Sequence, residues 1–227
     1  MTIRFVIFDL DGTLVDSAPD LHAAATIVLA EAGRSALDLT TIKRFIGDGV
    51  RKLVERAFAA TGPALEPAAL DQATTRFTTL YEAAATVLTR PYDGVPETLT
   101  RLRAAGMRLG VCTNKPMAAA GIVLRELGLA PLIDGVSGGD AVARRKPHPE
   151  HVRDALRRIG GGGGERAAMV GDNEHDIAAG KAAGLATVAV TYGYARQPYK
   201  TLGADRLIDR FGDLDRALAE LSGQPEH

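Results

Sequence analysis

The chain has 227 residues, of which 46% are apolar, so it is long enough to bury a sizeable hydrophobic core. Its 27 basic and 28 acidic residues give a net charge of −1, which excludes a global field that recruits nucleic acid or an anionic membrane. The single cysteine, Cys112, excludes an internal disulfide framework, and no apolar stretch reaches the ~18 residues that a membrane span needs. We therefore expect a cytoplasmic protein, a monomer or a homodimer, with Cys112 as a buried and inert thiol.

The first predicted element is a strand over residues 4–8, and it ends in two acids. The sequence from Phe5 reads FVIFDLDGTLVDS. Asp9 and Asp11 stand one residue apart and so start on one side of the chain, and a turn at Gly12 can aim both into a cleft. Two bare carboxylates there would repel each other and raise the pKa of one of them, whereas a divalent cation would keep both usable. An Asp-Gly turn with solvated acids is the alternative interpretation.

A helical insertion is predicted between the first two strands of the sheet. The chain that separates them is far longer than the roughly dozen residues that a parallel crossover needs. Apolar residues recur at helical spacing within 21–32, 50–58 and 70–81. We therefore expect an all-helical cap over residues 18–88, and a core formed by residues 1–17 and 89–227. Pro91 and Gly94 would return the chain to the core.

The rest of the chain alternates short apolar runs with helical patterns. The runs have few polar positions, which is typical of strands covered on both faces. Such alternation predicts an α/β fold with a doubly wound, parallel-sheet Rossmann-like core. The later strands are predicted over 108–112, 133–136, 167–170 and 187–190, and the helices over 95–105, 117–127, 149–159 and 177–183. The glycine run 160–164 is predicted to be a flexible loop.

Four polar clusters should meet at one edge of this sheet. They are DLDGT at 9–13, TNK at 113–115, RRKP at 144–147 and GDNEHD at 171–176. The carboxyl ends of the strands line one edge of a doubly wound sheet, and ligands bind there at the point where strand order reverses. A turn, a helix cap or a solvated loop would explain each cluster singly, but such explanations do not account for their joint placement.

These clusters resemble the motifs of the haloacid dehalogenase-like hydrolase superfamily. In order, the motifs are DxDGT, a Thr or Ser after the second strand, a Lys, and an acid pair in GDxxxD, and all are present. Residues VDSAPDL, IGDGVRKLVERAF and CTNKP also resemble phosphoglycolate phosphatases that carry a small helical cap. The acidic motif departs in having Asn173 where serine or threonine commonly follows the first Asp, but the spacing of Asp172 and Asp176 is intact.

The resemblance implies that Asp9 attacks phosphorus to give an aspartyl phosphate. It also implies Mg²⁺, which prefers oxygen ligands and would be held by the carboxylates of Asp9 and Asp172 and by the backbone carbonyl of Asp11. Asp176 would orient that shell or a metal-bound water.

The remaining motif residues are expected to bind the phosphoryl group and move protons. Lys146 would neutralise charge, while Thr113 and the backbone N–H groups around Asn114 would hold phosphoryl oxygens. Asp11 would act as the general acid for the leaving alkoxide and then as the base for water. Because dehalogenases generally lack that second acid, halide release is not expected.

The cap residues are expected to select the substrate. Gly47 to Arg51 form the candidate contact surface, with Arg51 supplying a charge suited to a small carboxylate. The alternative is an ordinary loop with an exposed arginine. Asp20 is expected to be an acid in the first turn of its helix.

Several polar residues are predicted to have ordinary structural places. His148 and His151 are three residues apart on a helix start, and we expect a solvated face rather than a metal site. His175 is expected to be a surface residue, and Tyr192 and Tyr194 should pack against or cap the edge of the core.

The predicted function is Mg²⁺-dependent hydrolysis of a small phosphorylated metabolite, with 2-phosphoglycolate as the leading substrate. A β-phosphoglucomutase-like phosphoryl transferase and a broad sugar-phosphate or nucleotide phosphatase use the same apparatus and remain alternatives. A non-catalytic binding or regulatory module is the alternative from another class, and the intact acids oppose it. Phosphonate hydrolysis usually involves a cap lysine, and no pattern singles out Lys43 or Lys52.

Overall fold

A computed structural model describes residues 2–162 and 166–223, so part of the predicted glycine loop, Gly163 and Gly164, lies outside the described residues. The strands are β1 (Phe5–Phe8), β2 (Val15–Asp16), β3 (Arg90–Pro91), β4 (Arg108–Cys112), β5 (Gly135–Ser137), β6 (Ala167–Gly171), β7 (Ala186–Val190) and β8 (Arg206–Ile208). The helices are α1 (Ala18–Glu31), α2 (Leu39–Lys43), α3 (Val50–Thr61), α4 (Pro67–Ala83), α5 (Val95–Ala104), α6 (Met117–Glu126), α7 (Pro149–Arg158), α8 (Glu174–Ala182) and α9 (Leu214–Leu221). Among these helices, none is both long and apolar enough to cross a lipid bilayer.

Six strands form one sheet in the order β5-β4-β1-β6-β7-β8, and every neighbouring pair is parallel. The order reverses at β1, because the chain adds β4 and β5 on one side and β6 to β8 on the other. This confirms the predicted doubly wound α/β fold. The sequence did not reveal β8, a three-residue edge strand with two exposed residues, because such a strand has no continuous apolar run.

The sheet is covered on both faces, which explains why its strands are apolar throughout. On β1, Val6 and Phe8 belong to the larger hydrophobic cluster, and the ring of Phe8 lies 5.9 Å from that of Phe211. The alternate residues Phe5 and Ile7 belong to a second cluster, which also contains Val152 of α7. Both faces of the strand are therefore buried, as expected of a parallel sheet.

Residues 18–88, here called the helical insertion, contain α1 to α4 and lie between two short strands. Those strands, β2 and β3, pair antiparallel, with Val15 opposite Pro91 and Asp16 opposite Arg90. Asp20 of α1 is buried, and its carboxylate accepts hydrogen bonds from the backbone N–H groups of Leu88 and Thr89 and from the Thr89 hydroxyl. Asp20 therefore ties the end of the insertion to its beginning, in addition to lying in the first turn of its helix.

Candidate active site

The predicted clusters meet at the carboxyl edge of the central strands. Asp9 follows β1, and Thr113 and Asp172 follow the strands that pair with β1 on its two sides, β4 and β6. All three residues are buried. The topology therefore brings one side chain from each of three adjacent strands to the point where strand order reverses.

Three buried carboxylates form the centre of this site. Asp9, Asp172 and Asp176 each offer an oxygen, and these oxygens lie within 4.8 Å of one another. Burial raises the pKa of Asp9 to about 7, although Lys146 opposes the shift. Burial and the neighbouring acids hold the pKa of Asp172 well above its usual range. Closely spaced oxygen donors that carry this much buried negative charge fit a hard divalent cation such as Mg²⁺.

Asp172 is held in place by three hydrogen bonds. The Tyr194 N–H donates to Oδ2 at 2.6 Å, while the Asn173 amide and the Thr13 hydroxyl donate to Oδ1 at 3.2 and 3.4 Å. Gly12 makes this packing possible, since it has a φ of 91° and a Cβ there would lie 2.5 Å from Asp172 Oδ2. The close approach of the Asp172 carboxylate, which belongs to the GDxxxD motif, therefore requires a glycine at position 12 of the DxDGT motif.

Asp176 uses both of its oxygens within the protein. Oδ2 accepts from the backbone N–H groups of Asp172 and Asn173, and Oδ1 lies 2.6 Å from Lys146 Nζ. Asn173, the departure from the family motif, caps α8 by accepting a hydrogen bond from the His175 N–H. These contacts suit an Asp176 that orients the acidic loop.

Lys146 is a buried cation between two of the acids. Its Nζ lies 2.9 Å from Asp9 Oδ1 and 2.6 Å from Asp176 Oδ1. Burial opposes its charge, yet the two carboxylates raise the pKa of Lys146 above its usual range. The ammonium group therefore stays charged beside the nucleophile candidate.

The prediction of a solvated face at His148 and His151 is wrong for His151, which has no exposed surface. Its Nδ1 accepts a hydrogen bond from the Lys146 N–H at 3.2 Å, and its Nε2 lies 3.1 Å from the Ser137 carbonyl oxygen. Burial and the charge of Lys146 lower the pKa of His151 to about 4. His151 therefore supports the backbone of Lys146 as a neutral imidazole, whereas His148 caps the start of α7 by accepting from the Glu150 N–H.

Asp11 is paired with a lysine to which the sequence analysis gave no role. Lys115 Nζ lies 2.9 and 3.0 Å from the two oxygens of Asp11, and the Ser17 hydroxyl donates to Oδ1 at 2.6 Å. The same ammonium group lies 4.4 Å from the centre of the Tyr81 ring, which belongs to α4. The position of Lys115 two residues after Thr113 was the only signal in the sequence, and it does not indicate which way the side chain points.

Thr113 and Asn114 organise the loop after β4. The Thr113 hydroxyl oxygen accepts a hydrogen bond from the Lys115 N–H at 3.2 Å. The Asn114 amide donates to the carbonyl oxygens of Gly47 and Lys146 at 2.8 and 3.1 Å. Asn114 therefore joins the sheet edge to the helical insertion.

A small cavity of about 30 Å³ lies between the sheet edge and the insertion. Asp9, Asp11, Thr113, Asn114 and Lys115 line it from the sheet side. The insertion side consists of Leu21, Ile46, Gly47, Gly49, Val50 and Leu53. One wall is polar and charged, and the other is largely apolar.

The structure does not bring Arg51 to this cavity. Its Nε lies 3.0 Å from Asp71 Oδ1, and half of its side chain is exposed to solvent. Val50 and Leu53 are the residues of α3 that line the cavity, and Arg51 points away from them on the outer face of the helix.

Asp48 contacts basic side chains of both the helical insertion and the core. It bonds to His175 and Arg196 of the core and to Arg56 of α3, and Arg196 also donates to the Ile46 carbonyl oxygen. Burial alone would raise the pKa of Asp48, but hydrogen bonds from His175 and Arg56 hold it below its usual range. His175, expected to be an ordinary surface residue, is half-buried in this contact.

The tyrosines and the cysteine lie where the sequence predicted them. The Tyr192 hydroxyl donates to the Thr13 carbonyl oxygen at 2.9 Å, and the Tyr194 hydroxyl donates to Asp16 Oδ1. Both tyrosines therefore pack at the edge of the core. Cys112 is buried, and burial raises the pKa of its thiol, as expected of an inert cysteine.

This chain is similar in sequence and in overall structure to known hydrolases. The haloacid dehalogenase-like hydrolase profile matches residues 3–184. A phosphoglycolate phosphatase of Rhodospirillum rubrum is 45% identical over 215 residues, which are 93% of this chain and 89% of that protein. A crystal structure of a predicted phosphoglycolate phosphatase from Haemophilus somnus has a TM-score of 0.90 at 30% identity and covers 96% of this chain and 98% of its own. CbbY of Rhodobacter sphaeroides, solved with phosphate, has a TM-score of 0.75 at 28% identity, covering 94% of this chain and 96% of its own. The chain therefore belongs to the haloacid dehalogenase-like hydrolase family.

Proposed function

We propose that the protein is a Mg²⁺-dependent phosphatase that hydrolyses a small phosphate monoester, with 2-phosphoglycolate as its substrate. The observation that carries this proposal is the buried group of Asp9, Asp172, Asp176 and Lys146 at the switch point of the sheet. Relatives that span almost the whole chain bear the name phosphoglycolate phosphatase, which supports the choice of substrate.

The donor set fits magnesium. The carboxylates of Asp9 and Asp172 and the backbone carbonyl of Asp11 would hold the ion, and Asp176 would keep the acidic loop in place. When bound, the ion supplies positive charge that offsets the repulsion between a dianionic phosphate and an anionic nucleophile.

Asp9 is the proposed nucleophile, and its carboxylate forms an aspartyl phosphate as the alkoxide leaves. Lys146 lies 2.9 Å from Asp9 Oδ1 and contributes a fixed charge to both the nucleophile and the phosphoryl group. Thr113 and the backbone around Asn114 would bind the phosphoryl oxygens, as their place in the cavity wall allows.

Asp11 is the proposed proton donor and acceptor. In the first half of the reaction its carboxyl group would protonate the leaving alkoxide. In the second half the resulting carboxylate would take a proton from the water that attacks the aspartyl phosphate and releases inorganic phosphate. Its carboxylate lines the cavity beside Asp9, which is the position that this role requires.

We further propose that the helical insertion is a cap that moves relative to a core of residues 1–17 and 89–227. A cavity of about 30 Å³ has room for water but not for a phosphorylated metabolite. Entry of substrate therefore requires the insertion to open, and its return would exclude water from the reaction.

The test is an assay of a panel of phosphorylated metabolites with and without Mg²⁺, combined with trapping of the phosphorylated enzyme. We expect hydrolysis of 2-phosphoglycolate that depends on Mg²⁺, and acid-stable recovery of label on Asp9. Asp9→Asn should show neither, and Asp213→Asn, which changes an acid far from the motifs, should show both. Turnover without Mg²⁺, or phosphoryl transfer between sugar phosphates in place of hydrolysis, would contradict the proposal.

A further inference from the structure

A substrate with a second anionic group needs a second cation in the cavity. Among the described residues that line it, Lys115 is the cation, since Lys146 lies behind Asp9 and Arg51 faces solvent. Lys115 is itself buried, with 3% of its side chain exposed. A carboxylate that enters the cavity therefore has one charged partner available on its walls.

In the part of the chain that the structure describes, the opposite wall contributes no charged side chain to the lining of the cavity. Leu21, Ile46, Val50 and Leu53 are apolar, and the loop between them contributes the backbone of Gly47 and Gly49. An ionised carboxylate placed against such apolar side chains without a partner loses its hydration at a large cost in free energy. The charged side-chain partner for the anionic end of a substrate is therefore on the sheet side, at Lys115.

Lys115 already has an anionic partner, the carboxylate of Asp11, at 2.9 and 3.0 Å. Asp11 has a second hydrogen bond, from the Ser17 hydroxyl, and so remains partly satisfied if the lysine turns to another group. The ammonium group also lies over the face of the Tyr81 ring, 4.4 Å from its centre, a contact that does not depend on Asp11 and favours a position of the cation at the cavity.

Resting on the phosphatase function proposed above, we infer that Lys115 is the specificity-determining residue for a carboxylate attached directly to the ester carbon of the substrate. Binding of that carboxylate exchanges the ion pair of Lys115 from Asp11 to the substrate. The exchange leaves the Asp11 carboxylate in the cavity wall with its Ser17 contact retained.

The test compares two substrates that differ in this charge, 2-phosphoglycolate and 2-hydroxyethyl phosphate, using kcat/KM for the wild type, Lys115→Met and Lys115→Arg. A charge-assisted hydrogen bond corresponds to a preference of roughly 10- to 100-fold for the carboxylate. We expect Lys115→Met to abolish that preference, chiefly through loss on 2-phosphoglycolate, and Lys115→Arg to retain most of it. Arg51→Met is the matched control, because it removes a cation from the insertion, and it should leave the preference unchanged.

Equal losses on both substrates in Lys115→Met, or a preserved preference, would overturn the inference. If Lys115→Met does not fold, Lys115→Gln gives the same comparison with an amide that can still donate to Asp11. Calorimetric binding of 2-phosphoglycolate to Asp9→Asn, with and without Lys115→Met, gives a second readout that needs no turnover, and we expect binding to weaken by roughly 10-fold or more. Failure of the proposed function is distinct, since the wild type would then hydrolyse neither substrate with Mg²⁺.

Discussion

The two walls of the cavity differ in the way their side chains are held. On the sheet side, Asp9 and Lys115 are buried and Asp11 is half-buried, and each of these ionisable groups contacts a partner of opposite charge. On the insertion side, Leu21, Ile46, Val50 and Leu53 pack as apolar residues of the core cluster. Because a buried charge is stable only when it is paired, the charged wall is ordered in advance of substrate.

The two walls of the cavity therefore have different proposed roles. In the proposed mechanism, the sheet edge supplies the groups that react, and the insertion supplies a surface that excludes water. A few polar contacts join the two: the Asn114 amide to the Gly47 carbonyl oxygen, Asp48 to His175, and the Tyr81 ring to Lys115. Substitutions on the sheet side should therefore change the rate of chemistry, and substitutions at the joining contacts should change the ease of closure.

After the complete loss expected of Asp9→Asn, the largest effect is expected from Asp11→Asn, which leaves the backbone carbonyl and the shape of the charged wall intact. Loss of positioned acid and base catalysis should lower kcat/KM for 2-phosphoglycolate by about 10² to 10⁴. Binding of Mg²⁺, measured by calorimetry, should remain within a few-fold of the wild type. A variant with nearly full activity would show that the proton moves through another group.

The support beneath the charged wall is tested by the pH dependence of stability. His151 has a pKa of about 4 when folded, against 6.5 when unfolded, so the unfolded chain binds the proton more tightly. Its contribution to the free energy of unfolding is present above pH 6.5 and is lost as pH falls through 4, by about 3 kcal/mol.

Between pH 7 and pH 4, urea unfolding should show that the free energy of unfolding of the wild type falls by about 3 kcal/mol more, or rises by that much less, than that of His151→Gln. His148→Gln is the control, because His148 is a helix cap outside the buried contact. Identical pH dependence in the wild type and His151→Gln would contradict the assignment.

A smaller effect is expected at the joining contact made by Asp48. Asp48→Asn removes a charge of the insertion that contacts His175 and Arg196 of the core, at a half-buried position. Such pairs contribute roughly 1 kcal/mol, so KM should rise about 3- to 10-fold while kcat changes less. Asp71→Asn removes an acid from an exposed pair of the same insertion and should have no such effect. A fall in kcat with an unchanged KM would place Asp48 in the chemistry instead.

The ring contact of Lys115 is tested by Tyr81→Leu, which removes the ring face from the ammonium group. A cation–π contact corresponds to about 0.5 to 2 kcal/mol, so kcat/KM for 2-phosphoglycolate should fall roughly 2- to 30-fold. Tyr81→Phe keeps the ring and should resemble the wild type. Equal losses in the two variants would show that the hydroxyl, and not the ring face, is what matters.

The sequence was most informative about the location of a residue when its type and its position relative to a strand allow few structural interpretations. Asp9, Asp172 and Lys146 follow apolar strands or precede a proline, and parallel topology brings such positions to one edge. The sequence could not show which way Arg51 and Lys115 point, because the orientation of a long side chain depends on packing between elements distant in the chain. His151 was misjudged for a similar reason, since one of its partners is the carbonyl oxygen of Ser137 in β5, and the other is the N–H of Lys146 in the loop before α7.

The short β2–β3 pairing has an evolutionary consequence. The chain leaves the sheet domain and returns to it at neighbouring positions, with Asp16 opposite Arg90, and the Asp20 carboxylate binds the returning segment. The helical insertion therefore begins and ends at neighbouring positions of the fold. A tight turn between residues 16 and 90 could take its place. Recombination at this junction can exchange one helical module for another without shifting the register of the six-stranded sheet.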